Sequence, residues 1–339
     1  MSSFWLLGNL LQTPRTLSAL LSNVKKQHRF IKEHLQAALT EAKNANDGSL
    51  DEKDFKKITH YYGLAVPAIL GEELCALRGS KMTLRERLAL TYQGAMTGLG
   101  DDFFDKQGTS AETVKAFIET PEKFTGNSAS EKLFLSFYKK SLEYAHDPAL
   151  VKQYLRKVFA AQVDSKKQAS PGLTRDEILK ITISKGGTSV LFYRAAMSHP
   201  FKEGEEEALY NIGGLMQFGN DVYGIYDDRN ENIHTLLTTA KKIDEVRTIF
   251  RSVMESSFRS AYNAGYPAKN VRKFLRLISM SLCGRCFVCF DQLESKEAST
   301  GNLFSPADYT RSDLVCDMDK NSNKWKSVLW HIKHRIGNH

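Results

Sequence analysis

Apolar residues recur every three to four positions through most of the chain, and no stretch alternates convincingly with a period of two. That spacing predicts amphipathic helices over 15–43, 52–77, 83–106, 128–144, 148–166, 174–198, 204–227, 238–264, 268–296 and 323–336. Breakers fall between them at Asn46-Asp47-Gly48, Arg78-Gly79-Ser80, Gly126-Asn127-Ser128, Ser170-Pro171-Gly172 and His199-Pro200. Thr174-Arg175-Asp176-Glu177 has the form of a capping box opening one of these helices. No linker rich in Pro, Gly or Ser divides the chain, so the expectation is an all-α fold of about ten helices in a single domain over residues 1–339. Residues 300–323 stand apart: they are polar, include Pro306 and lack a period. A stretch of that kind is either a solvated connection or a lid.

Composition narrows the class without choosing a function. With 339 residues, 42% of them hydrophobic, 25% charged and only 8 Pro, the chain can bury a sizeable core, and collagen-like or disulfide-stapled scaffolds are excluded. The net charge of +8 suits an anionic partner, whether nucleic acid, an acidic membrane surface or a phosphorylated small molecule. The odd set of 5 Cys, three of them within Cys283–Cys289, points to thiols in a reducing compartment. No run of 18 apolar residues predicts a transmembrane segment, and the opening MSSFWLLGNLLQTPR is a poor signal peptide, so a cytoplasmic location is expected.

Candidate chemistry begins at Asp101-Asp102-Phe103-Phe104-Asp105. On a helix, Asp101 and Asp105 stand one above the other with Asp102 beside them. Like charges at that spacing repel, and the macrodipole near a helix C-terminus disfavours anions further, so a compensating cation is expected. Oxygen ligands without His or Cys suit Mg²⁺, which keeps several waters and completes its shell with substrate phosphates. Gln93, Gly94, Thr97 and Gly98 precede the cluster on the same face and are mostly small, which predicts open space beside it.

A second acidic helix lies downstream, where Asn220, Gly224 and Asp228 fall at i, i+4 and i+8 with Asp221 and Asp227 flanking them. Gly213, Gly214 and Gly219 lead into it, each costing about 1 kcal/mol against Ala in a helix interior. Close packing or an adjoining cavity would rationalise them. Either acidic string alone is compatible with a solvated helix end; together they favour a metal site.

Asp101-Asp102-Phe103-Phe104-Asp105 resembles the aspartate-rich motif of class I isoprenoid synthases, and Asn220 to Asp228 resembles their second metal motif. The resemblance spans residues 60–300, with its specific content in 93–105, 184–194 and 217–234. It implies a helical bundle around a central cavity, with the two motifs facing each other and holding three Mg²⁺ ions that bind a prenyl diphosphate. By that resemblance Asp101 and Asp105, with Asp102, would hold two of the ions. Asn220, the Gly224 position and Asp228 would hold the third. Terpene cyclases place Asn, Ser or Thr, and Glu at the positions of Asn220, Gly224 and Asp228; here the hydroxyl is replaced by Gly and Glu is shortened to Asp. Squalene and phytoene synthases carry a Gln-x-x-Asn lead-in like Gln217 and Asn220, and acids like Asp227 and Asp228, but expect an acid where Gly224 stands. Water or Asp221 would then complete the third ion's shell.

Ser184-Lys185-Gly186-Gly187 lies between the motifs, and paired glycines inside a helical segment predict a break whose carbonyls face a cavity; tight helix packing is the alternative. Lys185, Arg194 and Arg229 are the basic residues best placed to assist a diphosphate, with Gln217 nearby and Tyr309 and Arg311 closing over it from the late segment. An allylic cation must be kept from water by an apolar, aromatic cavity. Tyr92, Phe192, Phe218 and Tyr223 neighbour the motifs, although aromatic residues at helical spacing are more often core.

The expected activity is therefore that of a Mg²⁺-dependent class I terpene synthase, a lyase that ionises a linear prenyl diphosphate and lets the cation cyclise or lose a proton. Asp101, Asp105, Asn220, Asp228 and Arg229 would be its catalytic residues. Head-to-head condensation of two prenyl diphosphates is the alternative reaction, and a non-catalytic isoprenoid-binding helical protein the alternative of another class. The expected partner is the prenyl diphosphate, with a homodimer admitted. Nucleic acid is not expected, because Lys25-Lys26 and Lys166-Lys167 lack interleaved aromatics. Cys283, Cys286 and Cys289 have part of an iron–sulfur spacing, but in a helical run Cys packs as a small hydrophobe.

Overall fold

The structure is a computed structural model that describes residues 4–105 and 110–335; for residues 4, 5 and 101–105 it describes the backbone alone. The fold is all-α, with no strand among the described residues. Its contacts gather into two compact units, one of Met1–Thr16, Ala160–Leu191 and Phe201–His339, the other of Leu17–Phe159 and Phe192–Pro200.

Most helices start within a few residues of where the sequence places them, and side-chain caps fix some of these ends. The Arg175–Ala195 helix opens on the expected box: the Glu177 amide donates to Thr174 Oγ1 (3.3 Å) and the Thr174 amide to Glu177 Oε2 (2.7 Å). Ser128 caps Ala129–Tyr144 through the Glu131 amide, and Ser110 caps Ala111–Glu119, a helix the periodicity did not announce. The first helix, Phe4–His34, begins eleven residues before the expected start and carries Pro14 within it. Between 52 and 78 the chain alternates α with π windings at Lys57–Tyr61 and Val66–Gly71, and Ser279–Cys283 is a further π stretch.

In the first unit, Phe218, Phe250, Phe287 and Phe290 meet edge to face at centroid distances of 5.3–5.5 Å, and Trp330 stacks on Phe287 at 4.2 Å. Contacts of this kind contribute about 0.5–1.5 kcal/mol each beyond area burial. Phe218 is thus core and not cavity lining. In the second unit, the helix Leu84–Asp105 packs on the 57–63 turns: a Cβ on Gly94 would overlap the Tyr62 carbonyl, and one on Gly98 would lie 3.0 Å from Lys57 Cβ. The small residues ahead of Asp101 are therefore filled by a neighbouring helix, which corrects the open space expected there. A buried Arg78–Glu86 ion pair (2.8 Å) and the Gln27 amide donating to Thr91 Oγ1 (2.9 Å) tie the same unit together.

Candidate functional site

The site is built in the first unit where Arg175–Ala195 crosses Glu205–Asn230. Gly186 and Gly187 do not break their helix, contrary to the expectation; they let the two backbones touch. A Cβ on Gly186 would fall on the Gly213 carbonyl, one on Gly213 on the Gly186 carbonyl, one on Gly187 against the Tyr210 ring and one on Gly214 against Ile183. The helix winds unbroken through Arg175–Ala195, and the Ser184 and Lys185 carbonyls also accept from Thr188 Oγ1 (2.8 Å) and Ser189 Oγ (2.8 Å). Close packing explains Gly213 and Gly214, and Gly219 faces Leu282 and Cys286. The deep pocket that these small residues hinted at is occupied by side chains and backbone.

One turn beyond the crossing, the helices part around a pocket of about 60 Å³ lined by Gln168, Thr182, Lys185, Gln217, Asn220, Asp221, Asp228, Ile233 and Thr235. That is room for an ion or about two waters. Asp221 is buried and accepts from Thr182 Oγ1 (3.0 Å) and Gln217 Nε2 (2.9 Å). Burial pushes its carboxyl up to about 6, against the lowering by those two hydrogen bonds and by Lys185. Asp228 folds back along its own helix over Gly224, whose missing Cβ would sit 3.4 Å from Asp228 Oδ2. Gly224 offers no side-chain ligand, and a Cβ there would meet this carboxylate at ordinary van der Waals distance. Burial pushes Asp228 up to about 7, the Asp221 charge adds to that, and Lys185 opposes it.

The far wall is made by the chain leaving the helix. Ile233 N donates to the Asp228 carbonyl (2.8 Å), and Asn232 takes the left-handed conformation (φ 55°) that Asn tolerates. His234 N then donates to the Gln168 carbonyl (2.8 Å) and Gln168 Nε2 to the His234 carbonyl (3.1 Å). Thr182, Gln168 and Thr235 are the site residues that sequence reasoning missed. Thr182 precedes Lys185 by three on one helix face and was open to notice; Gln168 and Thr235 lie outside helical periodicity and carry no signal.

Arg229, Tyr309, Arg311 and Arg194 do not line this pocket. The side chains of Asp101, Asp102 and Asp105 fall outside the described residues. Arg229 donates from Nη1 to the carbonyls of Pro306 (2.7 Å) and Tyr309 (2.8 Å) and lies 4.9 Å over the Tyr226 ring. The late segment is thereby an ordered strap, with a turn at Pro306–Asp308 and a short capped helix at Arg311–Leu314. Gln292 holds it from the other side through the carbonyls of Asp313 (2.9 Å) and Val315 (3.3 Å). Tyr309 is buried with its hydroxyl on Thr300 Oγ1 (2.6 Å), and Arg311 is exposed with its guanidinium 5.8 Å from the Tyr226 ring. Arg194 belongs to the second unit, is 1% exposed, and donates to the carbonyls of His199 and Pro200 (3.2 Å each). Closing the loop after its helix replaces the substrate contact expected of it. Replacing Arg229 by Gln should leave the fold intact and raise amide exchange across 304–316 at least about tenfold, consistent with loss of two charge-assisted hydrogen bonds. Hydrogen-exchange mass spectrometry reads this, and unchanged exchange would mean that Gln292, the Tyr309–Thr300 bond and the Lys296–Asp313 ion pair (2.7 Å) hold the strap without Arg229.

Cys283, Cys286 and Cys289 are buried in helix packing; Cys286 Sγ donates to Tyr223 Oη (3.4 Å), and burial pushes its thiol up to about 12. An inert structural role follows.

The pocket's donors are carboxylate, amide and hydroxyl oxygens with neither His nor Cys, which fits a hard cation such as Mg²⁺ in kind. Their number is smaller than a complete site: Asp221 and Asp228 are two acids, and no group of three His, Cys, Asp or Glu that would hold a metal gathers among the described residues. Lys185 already supplies one positive charge there. Comparison with protein-family models, curated proteins and solved structures finds no match to the chain.

Proposed function

We propose that the chain is a Mg²⁺-dependent class I terpene synthase that ionises a linear prenyl diphosphate, releases diphosphate and lets the cation cyclise or lose a proton. The observation that carries this reading is the convergence of Asn220, Asp221 and Asp228 with Lys185 on one polar pocket of an all-α fold, in a chain that also holds Asp101-Asp102-Phe103-Phe104-Asp105. Bound Mg²⁺ would neutralise the charge that develops on the departing diphosphate. Asn220 and Asp228 would hold it, Asp221 would be kept in place by Thr182 and Gln217, and Lys185 would add a fixed cation beside the anion. Arg229 would act through the strap it anchors, as a positioning residue.

A second reading, head-to-head condensation of two prenyl diphosphates, is favoured by Gln217. Its amide donates to Asp221 at the pocket, where the Gln-x-x-Asn lead-in of squalene and phytoene synthases would put it.

The test is incubation of the purified protein with Mg²⁺ and prenyl diphosphates of ten to twenty carbons, following diphosphate release and hydrocarbon products. A product of unchanged length supports the synthase, and one with doubled carbons supports condensation. Absence of release with every chain length would overturn both and leave an isoprenoid-binding protein. Asp101→Ala with Asp105→Ala should lower turnover at least about 10²-fold while the helical circular dichroism is unchanged, in the range of losses seen when charge stabilisation is removed. Retained turnover would refute the first motif's role.

A further inference from the structure

The first turns of the Phe4–His34 helix face the wrong way for a protein surrounded by water. Asn9 and Thr13 are buried, and Asn9 Nδ2 donates to the carbonyls of His331, Ile332 and His334 (2.9–3.4 Å) at the end of the helix Asn321–Lys333. The leucines take the outside: Leu6, Leu7, Leu10 and Leu11 are between 40% and 64% exposed. Asn321–Lys333 repeats the arrangement, with Ser327 and His331 buried while Trp325 (67%) and Leu329 (47%) are exposed on the same helix as the exposed Lys326 and Lys333. Leaving about two-fifths or more of a large apolar side chain in water forgoes about 1 kcal/mol each, and six such residues on two touching helices mark a surface that another phase covers.

Charge identifies that phase. Residues 1–16 and 320–339 carry Arg15, Lys320, Lys324, Lys326, Lys333 and Arg335 and no Asp or Glu. The first helix continues through Lys25, Lys26, Arg29 and Lys32 before its first acid, Glu33, so the two ends contain ten cations against a surplus of eight for the whole chain. Among the described residues, Lys324 lies 3.5 Å from Asp319, and Arg15, Lys320, Lys326, Lys333 and Arg335 are exposed. We propose that the first turns of Phe4–His34 and the outward face of Asn321–Lys333 form a docking surface for an anionic lipid bilayer. Leucines and Trp325 enter the boundary between headgroups and acyl chains, and the lysines lay their stems over it and reach the phosphates. A second copy fits worse: a two-fold contact places the same predominantly positive patch against itself, and lysine is depleted from protein interfaces. This inference is independent of the reaction proposed above.

Flotation of the full chain with vesicles tests it. At low salt the protein is expected to float with phosphatidylcholine vesicles containing roughly one-third phosphatidylglycerol, to float far less with pure phosphatidylcholine, and to be released by salt near molar strength, where screening is short-ranged. Leu7→Gln with Leu11→Gln should weaken binding roughly tenfold or more at unchanged net charge, as expected from the lost apolar burial. Lys326→Glu with Lys333→Glu should abolish the preference for phosphatidylglycerol. Circular dichroism confirms that each variant is folded. No flotation of the wild type at low salt, or flotation unaffected by either pair, would overturn the proposal. So would a dimer in solution that Leu7→Gln with Leu11→Gln dissociates without any vesicle binding, which would hand the face to a second copy.

Discussion

Gly213→Ala is expected to lower the free energy of unfolding by about 3 kcal/mol, against the sign that helix propensity alone demands. Gly213 lies inside the Glu205–Asn230 helix, where Ala is worth about 1 kcal/mol more than Gly, so an exposed glycine there would be improved by the change. The new methyl group would fall on the Gly186 carbonyl and within 2.8 Å of Gly187 Cα. Neither atom belongs to a side chain that can swing aside, so the helices must part. Their separation also loosens the Tyr210 ring from Gly187 and Ile183 from Gly214. Gly8 is the control: it lies in the Phe4–His34 helix with open space where its Cβ would be, so Gly8→Ala should raise stability by up to about 1 kcal/mol. Urea unfolding of both variants gives the two values. A Gly213→Ala protein as stable as the wild type would mean that the crossing yields and that the pocket one turn away is not held to its shape by it.

The same crossing explains why the sequence was readable for helices and not for the site. Periodicity with caps such as Thr174 and Glu177 reports a helix's own residues, and nearly every long helix falls within a few residues of its expected span. A glycine pair is ambiguous at that level. Gly186-Gly187 is equally consistent with a broken helix and with a close approach, and only the position of Gly213 on another helix decides. Polar residues on a helix likewise do not say which way they face. Arg194 and Arg229 had the charge a diphosphate needs, yet one guanidinium is spent on the carbonyls of its own loop and the other on those of the Pro306–Tyr309 strap. The start of the first helix was missed for a related reason. The leucines of its first turns do not face the core: the helix uses Asn9 as its buried contact and leaves those leucines outside. What survived from the second acidic motif is the i, i+8 relation of Asn220 and Asp228, because that depends on one helix alone; its third member, Gly224, brings no side chain to the pocket.

The Asp221–Asp228 pair should make the metal-free protein less stable as pH rises from 4 to 7. The native protein holds the Asp228 proton to about 7 and the Asp221 proton to about 6, whereas the unfolded chain releases both near the ordinary value of 3.8. Between those limits the native state binds more protons, so the unfolding free energy falls with pH; the contribution is complete below 3.8 and lost above 7. Moving the Asp228 proton from 3.8 to about 7 would correspond to about 4 kcal/mol at the upper limit, and its half-buried position reduces the expected loss to about 2 kcal/mol. Asp228→Asn should therefore gain about that much at pH 8 and nothing at pH 4, because the amide removes both a buried charge and the repulsion that raises its neighbour. Mg²⁺ separates a ligand pair from a merely buried one. If the pocket takes the cation, saturating Mg²⁺ at pH 8 should restore about 2–3 kcal/mol to the wild type and nothing to Asp228→Asn, since stabilisation by a native-state ligand grows as RT ln(1 + [L]/Kd). Urea midpoints with chelator and with Mg²⁺ at the two pH values measure every arm. A pH slope that Asp228→Asn flattens, with no response to Mg²⁺, would leave the two acids as a strained structural pair compensated by Lys185, and would remove the pocket from the proposed metal site.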